Sequence, residues 1–164
     1  MSLWVIDASP LIFLAKLDRL GLLREGAGEI LVPPAVWSEV RQLEDEALDR
    51  LRHARRSWLQ IKKVANPEAL AFLRVNLHAG EAEAIALAKE IRAERIVEDD
   101  LAARRYARRL GLSIVGTLGL ILAARIRGEI PSVAEEIGRL RAVGFRISEQ
   151  LETAVLRAAG EIAG

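Results

Sequence analysis

The stretch that most narrows what this chain can fold into runs from Ala79 to Asp100, AGEAEAIALAKEIRAERIVEDD. Ala82, Ile85, Ala86 and Ile91 recur at helical spacing, and the apolar pair Ile96-Val97 that follows reads as a short buried strand. Glu81 and Glu83 open the helix; Asp99 and Asp100 close the strand. In an α/β unit the helix runs antiparallel to its strand, so the start of the helix lies on the sheet edge where the strand ends. Acids far apart in sequence are thereby expected on one rim.

The rest of the chain repeats this grammar. Leu3 to Ile6 is an apolar run ending in Asp7, after which Ser9 is placed to cap a helix with Pro10 at its first position. A short helical piece covers Asp18 to Arg24. Ile30 to Val32, closed by Pro33-Pro34, precedes a helix carrying Val36, Trp37, Val40 and Leu43, with Glu39 in its opening turns. Glu44 to Trp58 reads as a charged helix, Leu59 to Val64 as an edge strand, and Asn66-Pro67 as another helix start. Leu101 to Leu110 is a helix stopped by Gly111, Ser113 to Val115 a strand, and Leu118 to Arg127 a helix stopped by Gly128. From Ser132 onward the pattern is helical only, broken at Gly144-Phe145. Strands alternating with helices predict an α/β fold, a parallel sheet with helices on both faces. A chain of 164 residues is expected to form one domain, with a core over 1–128 and a C-terminal helical extension over 129–164.

Ligands of such sheets bind outside the carboxyl ends of the strands, and that edge should collect Asp7, Glu39, Glu81, Asp99 and Asp100. Like charges held close raise one another's pKa or require a cation. A hard ion with oxygen ligands, Mg²⁺ or Mn²⁺, is the economical partner, and metal-assisted phosphoryl hydrolysis the matching chemistry. Ser9 and Thr117 are candidates for binding a ligating carboxylate, and Glu83 accompanies Glu81 on the same helix. Each acid also has a structural reading: an Asx turn for Asp7, helix-dipole pairing for Glu81 and Glu83, a cap for Asp99 or Asp100. Arg104, Arg105 and Arg108 lie one to two turns beyond the acidic pair, placed to grip phosphates of a nucleic acid. His53 and His78 lack a metal-type spacing partner and read as structural.

Composition closes off other chemistries. There is no cysteine, so thiolate catalysis and Cys-ligated zinc are excluded. No apolar run is long enough to span a bilayer and the N-terminus is not that of a signal peptide, so a cytoplasmic protein without membrane association is expected. A receiver or phosphatase of similar topology would need a Lys partner or an Asp-x-Asp nucleophile, and Asp7-Ala8-Ser9 offers neither.

The ordered set VIDASPLI, PPAVWSEV, GEAEAIALA, VEDDLAARRYARRLG and VGTLGLIL resembles the PIN domain, most nearly the toxin-type branch related to VapC. The resemblance implies a three-layer α/β/α fold around a five-stranded parallel sheet. It also implies Mg²⁺- or Mn²⁺-dependent endonuclease action on RNA by a metal-activated water. Residue by residue, the family's acids fall on Asp7, Glu39, Glu81 and Asp99 or Asp100, with Asp7, Glu81, Asp99 and Asp100 as metal ligands. Glu98 stands where a small or hydroxyl residue is common in the family. Toxin biology further implies an antitoxin partner and a homodimer, to which Leu118 to Ala124 would contribute. A catalytically degenerate module that only binds nucleic acid or a protein partner is the competing expectation.

Overall fold

The computed structural model describes residues 2–163. In chain order the elements are β1 (Leu3–Ile6), α1 (Ala8–Lys16), α2 (Gly21–Gly26), β2 (Glu29–Val32), α3 (Pro34–Val40), α4 (Glu46–Ser57), β3 (Leu59–Ile61) and α5 (Pro67–Leu73). They continue with α6 (Ala79–Glu90), β4 (Arg95–Val97), α7 (Leu101–Arg109), β5 (Ile114–Val115), α8 (Thr117–Ile126), α9 (Val133–Ala142) and α10 (Glu149–Ala158). The sheet has five strands in the order β3-β2-β1-β4-β5, every neighbouring pair parallel. β1 and β4, the two strands whose ends carry acid, are adjacent in its middle.

The strands are short and almost wholly apolar because helices cover them. Pleating sends alternate residues to opposite faces. Val5, Leu31 and Ile96 belong to one core cluster with Ala82, Ile85 and Ala86 of α6 and Ala103 and Ala107 of α7. Their neighbours Trp4, Ile6, Ile30, Val32 and Val97 are buried in their turn. Trp4 shows what covers the second face: its ring lies so close to Gly26, the last residue of α2, that a Cβ there would sit 2.4 Å from it. Small residues on α6 let it lie tightly on the sheet, and seven of its residues are buried.

Helix boundaries follow local chemistry in most places. Asn66 caps α5 by accepting from the N–H of Glu68 and Ala69, with Pro67 at the first position. Gly111 and Gly128 adopt positive φ where α7 and α8 stop. The start of α1 departs from expectation. The helix begins at Ala8, the residue at its N-cap is Asp7, and the Asp7 side chain makes no capping bond. Pro10 therefore falls third in the helix, where its missing N–H still costs nothing. Leu59 to Val64 is strand only as far as Ile61, and α2 begins at Gly21 rather than Asp18.

Two compact units are distinguished, one ending at Gly116 and one beginning at Thr117. The first holds the whole sheet and α1 to α7. The second is helical: α8, α9 and α10 pack on one another. Among the described residues no helix is long and apolar enough to cross a membrane.

Candidate functional site

β1 sets the first acid. Ile6 pairs with Val97, so the residues one step on, Asp7 and Glu98, face each other past the ends of β1 and β4. The Asp7 N–H donates to the Val97 carbonyl at 3.0 Å, extending the ladder to the rim. Asp7 is buried, at 5% exposure, and Glu98 completely so.

The pairing of Asp7 and Glu98 is the centre of the site. Burial, then the neighbouring Asp7 carboxylate, pushes Glu98 up to about 10, so at neutral pH Glu98 carries a proton. Its Oε1 accepts from the Asp100 N–H at 3.0 Å. Its Oε2 is buried with no hydrogen-bond partner, an environment that disfavours a charged carboxylate and favours the neutral acid. Burial also raises Asp7; hydrogen bonds from Glu98 and from the Ala8 N–H oppose this, while the Asp100 charge adds to it.

α3 and α6 supply two more carboxylates. Glu83, on α6, accepts from the Ala35 N–H at 3.2 Å; it thereby satisfies one of the orphan donors at the start of α3, whose N-cap is Pro33 and has no side-chain acceptor. This bond fixes the α3–α6 packing that delivers Glu39. A Cβ built on Gly80 would lie 3.4 Å from both Asp7 Oδ1 and Glu39 Oε2. Asp7 and Glu39, separated by thirty-one intervening residues in the sequence, thus converge over the bare Cα of Gly80. Glu81 is raised by partial burial and then by Asp100 and Asp7. Glu39 is raised by partial burial and then by Asp7. Asp7, Glu39, Glu81 and Asp100 therefore share one electrostatic neighbourhood at the carboxyl edge of the sheet.

The remaining expected residues divide. Asp100 caps α7, accepting from the Ala103 N–H at 2.9 Å, and still faces Asp7 and Glu81 closely enough to raise both. Asp99 turns to the other side of β4, its Oδ1 lying 2.8 Å from where a Cβ on Gly116 would be. Ser9 is half-buried in the first turn of α1. Thr117 is buried at the first position of α8, in the second unit. Arg105 and Arg108 are exposed on α7, whereas Arg104 is half-buried and its Nη1 donates to the Glu98 carbonyl at 3.3 Å.

Two residues escaped the sequence reading. Glu98 was legible only as an oddity of its position, since its role depends on register and burial. His78 is not isolated: it occupies the N-cap position of α6, its N–H donates to the Glu81 carboxylate, and its ring favours the charged forms of Glu39 and Glu81. The signal available was its place three residues before Glu81, a helix-start spacing.

A family model described as PIN domain, DUF3368, matches residues 3–161. The chain belongs to the PIN-domain family. A PilT N-terminus domain protein, SSO1118, from the hyperthermophilic archaeon Sulfolobus solfataricus P2 has a similar fold, with a TM-score of 0.54 at 20% identity. The similarity covers 74% of this chain and 92% of that one. No curated protein matches the chain. PIN domains are in general nucleases and typically employ divalent metal ions.

The donor set suits such an ion in chemistry. It consists of carboxylate oxygens alone, the charged forms of Asp7, Glu39 and Glu81 are disfavoured as they stand, and Gly80 leaves space where Asp7 and Glu39 meet. Among the described residues no three acidic or histidine side chains are already drawn together at ligating distance.

Proposed function

We propose that this PIN domain is a divalent-metal-dependent endoribonuclease, acting as the toxin of a toxin–antitoxin pair. The observation that carries the nuclease reading is the convergence of Asp7 and Glu39 on Gly80, with Glu81 and Asp100 close enough to disfavour further negative charge. Asp7, Glu81 and Asp100 would hold Mg²⁺ or Mn²⁺, with Glu39 beside them; Asp99 belongs to the set only as an alternative to Asp100. When bound, such an ion neutralises a phosphodiester in transit and activates water for in-line attack.

The chain's own residues prepare that chemistry. Glu98 holds its proton against Asp7 and so keeps one more negative charge out of a crowded site. Glu83 fixes α3, and with it Glu39. Asp100 reaches the site from a helix N-cap, a position set by the Ala103 N–H. The exposed cations of α7 favour a polyanionic substrate.

Incubating labelled RNA with the protein and Mn²⁺ tests the reading directly. Cleavage dependent on the metal is expected, and a protein that leaves RNA intact at millimolar Mn²⁺ would sink it. Thermal unfolding gives an independent measure, since a bound ion at a hundredfold excess over Kd stabilises by about 2.7 kcal/mol. The toxin role and homodimer are tested by co-expression with the product of an adjacent small reading frame and by sedimentation.

One observation favours a second reading, a module that binds nucleic acid without cutting it. Asp7 already has a hydrogen-bond partner in Glu98, and Asp100 already caps α7. Under that reading Mn²⁺ leaves the melting temperature unchanged while RNA still binds.

A further inference from the structure

Four arginines decorate α7, and they are not alike. Arg105, Arg108 and Arg109 are exposed; Arg104 is half-buried and folded back along the helix toward the strand ends. Its Nη1 donates to the Glu98 carbonyl at 3.3 Å. That carbonyl belongs to the residue whose side chain pairs with Asp7, so the guanidinium is tied one residue from the carboxylate rim.

Gly116 shows how the guanidinium is accommodated. β4 and β5 pair Val97 with Val115, which brings Gly116 opposite Glu98. A Cβ on Gly116 would stand 2.7 Å from Arg104 Nη1, 2.8 Å from Asp99 Oδ1 and 3.6 Å from the Glu98 carbonyl. Gly116 is not among the glycines with positive φ, so glycine is required there for space rather than for backbone conformation. The space is filled by the head of Arg104 and the carboxylate of Asp99.

A guanidinium carries five N–H donors in a planar fork that matches a phosphate. One donor goes to Glu98. Holding the head in a gap removes much of the rotamer freedom that an exposed arginine must give up on binding. We infer that Arg104 is a substrate-binding residue of the site, a preorganised fork for a backbone phosphate of the RNA lying across the ends of β4 and β5. Arg105 and Arg108 act instead as a diffuse positive field. The inference rests on the RNA-nuclease reading for its substrate and adds the residue that grips it.

The test uses the full chain carrying Asp7→Asn, to which a labelled RNA binds without being cut, with anisotropy followed across a salt series. Arg104→Ala should weaken binding roughly tenfold, as expected for loss of a charged hydrogen-bonding fork, and should lower the slope of log K against log salt by about 1. Arg104→Lys, which keeps the charge without the fork, should recover only part of the affinity. Arg105→Ala should lose less than Arg104→Ala. Gly116→Ala changes no charge, and its Cβ meets two side-chain ends, the Arg104 head at 2.7 Å and the Asp99 carboxylate at 2.8 Å, so Asp99→Ala is measured beside it and should not reproduce the loss. It should melt within a few degrees of its parent yet bind RNA several-fold more weakly. RNA cut by wild type but bound equally with and without the Arg104 side chain would overturn the inference and leave the nuclease reading intact. RNA bound in an Arg104-dependent way but never cut would do the opposite, and no binding by the parent would overturn both.

Discussion

Carboxylates in the two units of this chain live under opposite conditions. In the second unit Glu161 accepts from the Val133 N–H at 2.6 Å, the Ala134 N–H at 3.0 Å and the Ser132 hydroxyl at 3.0 Å, and faces Arg125 at 3.6 Å. Burial works against its charge, yet those donors hold its carboxyl below the ordinary value. Arg141 does the same for Glu152. In the first unit Asp7, Glu39, Glu81 and Glu98 all sit above their ordinary values, and burial heads the causes for each. The helical unit matches these two acids with donors and cations, which is what stability alone favours. The sheet edge gathers acids against one another, a strain that the proposed divalent ion would relieve.

Neutralising an acid should therefore have opposite effects in the two places. Asp7→Asn should reduce metal-dependent RNA cleavage by at least about a hundredfold, the scale of losing one group that stabilises developing charge, while raising the melting temperature of the metal-free protein. A variant that is both inactive and less stable would mean that Asp7 is held for structure, and the contrast would fail.

The dependence on pH sharpens the same contrast. A group whose pKa is raised by folding stabilises fully below its unfolded value and loses that contribution as pH rises through the folded value. The rim acids, with unfolded values near 3.8 and 4.5, are of this kind, and Glu98 extends the loss to about pH 10. Glu161 is the reverse: held low, it contributes above its unfolded value of 4.5 and loses the contribution as pH falls through that range. Amide exchange at β4 should thus become slower from about pH 8 to pH 5 once corrected for intrinsic rates, whereas exchange at the start of α9 should speed up only below about pH 4.5. Glu98→Gln keeps a donor for Asp7 and removes the titration, so it should flatten the alkaline loss at the rim and leave α9 alone.

Glu161→Gln should cost about 1 kcal/mol, the scale of a helix cap losing its charged acceptor, with no change in cleavage. The smallest effect is expected at Gly80→Ala. A methyl group there would touch Asp7 Oδ1 and Glu39 Oε2 at 3.4 Å. It should leave melting unchanged or slightly raised, as alanine favours a helix, while cutting the Mn²⁺-induced rise in melting temperature and reducing cleavage a few-fold. Full metal stabilisation in that variant would place the ion elsewhere.

Much of the scaffold could be read from residue order because each element is punctuated locally. Asn66-Pro67, Gly111 and Gly128 mark helix ends by their own conformational preferences, and the structure puts the ends there. The start of α1 misled because Ser9-Pro10 resembles a cap followed by a first helical residue. Tertiary pairing of Asp7 with the Val97 carbonyl instead ends the strand at Ile6 and starts the helix at Ala8. α8 groups with α9 and α10; which helices pack together depends on surfaces that periodicity does not specify.

The amino-acid order by itself determined that this chain would be an α/β protein with acids at the ends of strands and the starts of helices. Those are short-range facts, written in apolar spacing, glycine and proline. Only the tertiary structure decided that Glu98 would be the buried partner of Asp7, that Asp7 and Glu39 would meet over Gly80, and that Arg104 would be the one arginine of α7 drawn in beside the sheet edge. Each of these depends on register and on close approach between segments distant in sequence. A carboxylate's pKa and a guanidinium's freedom are set by what surrounds them in space, and neighbours along the chain supply little of that.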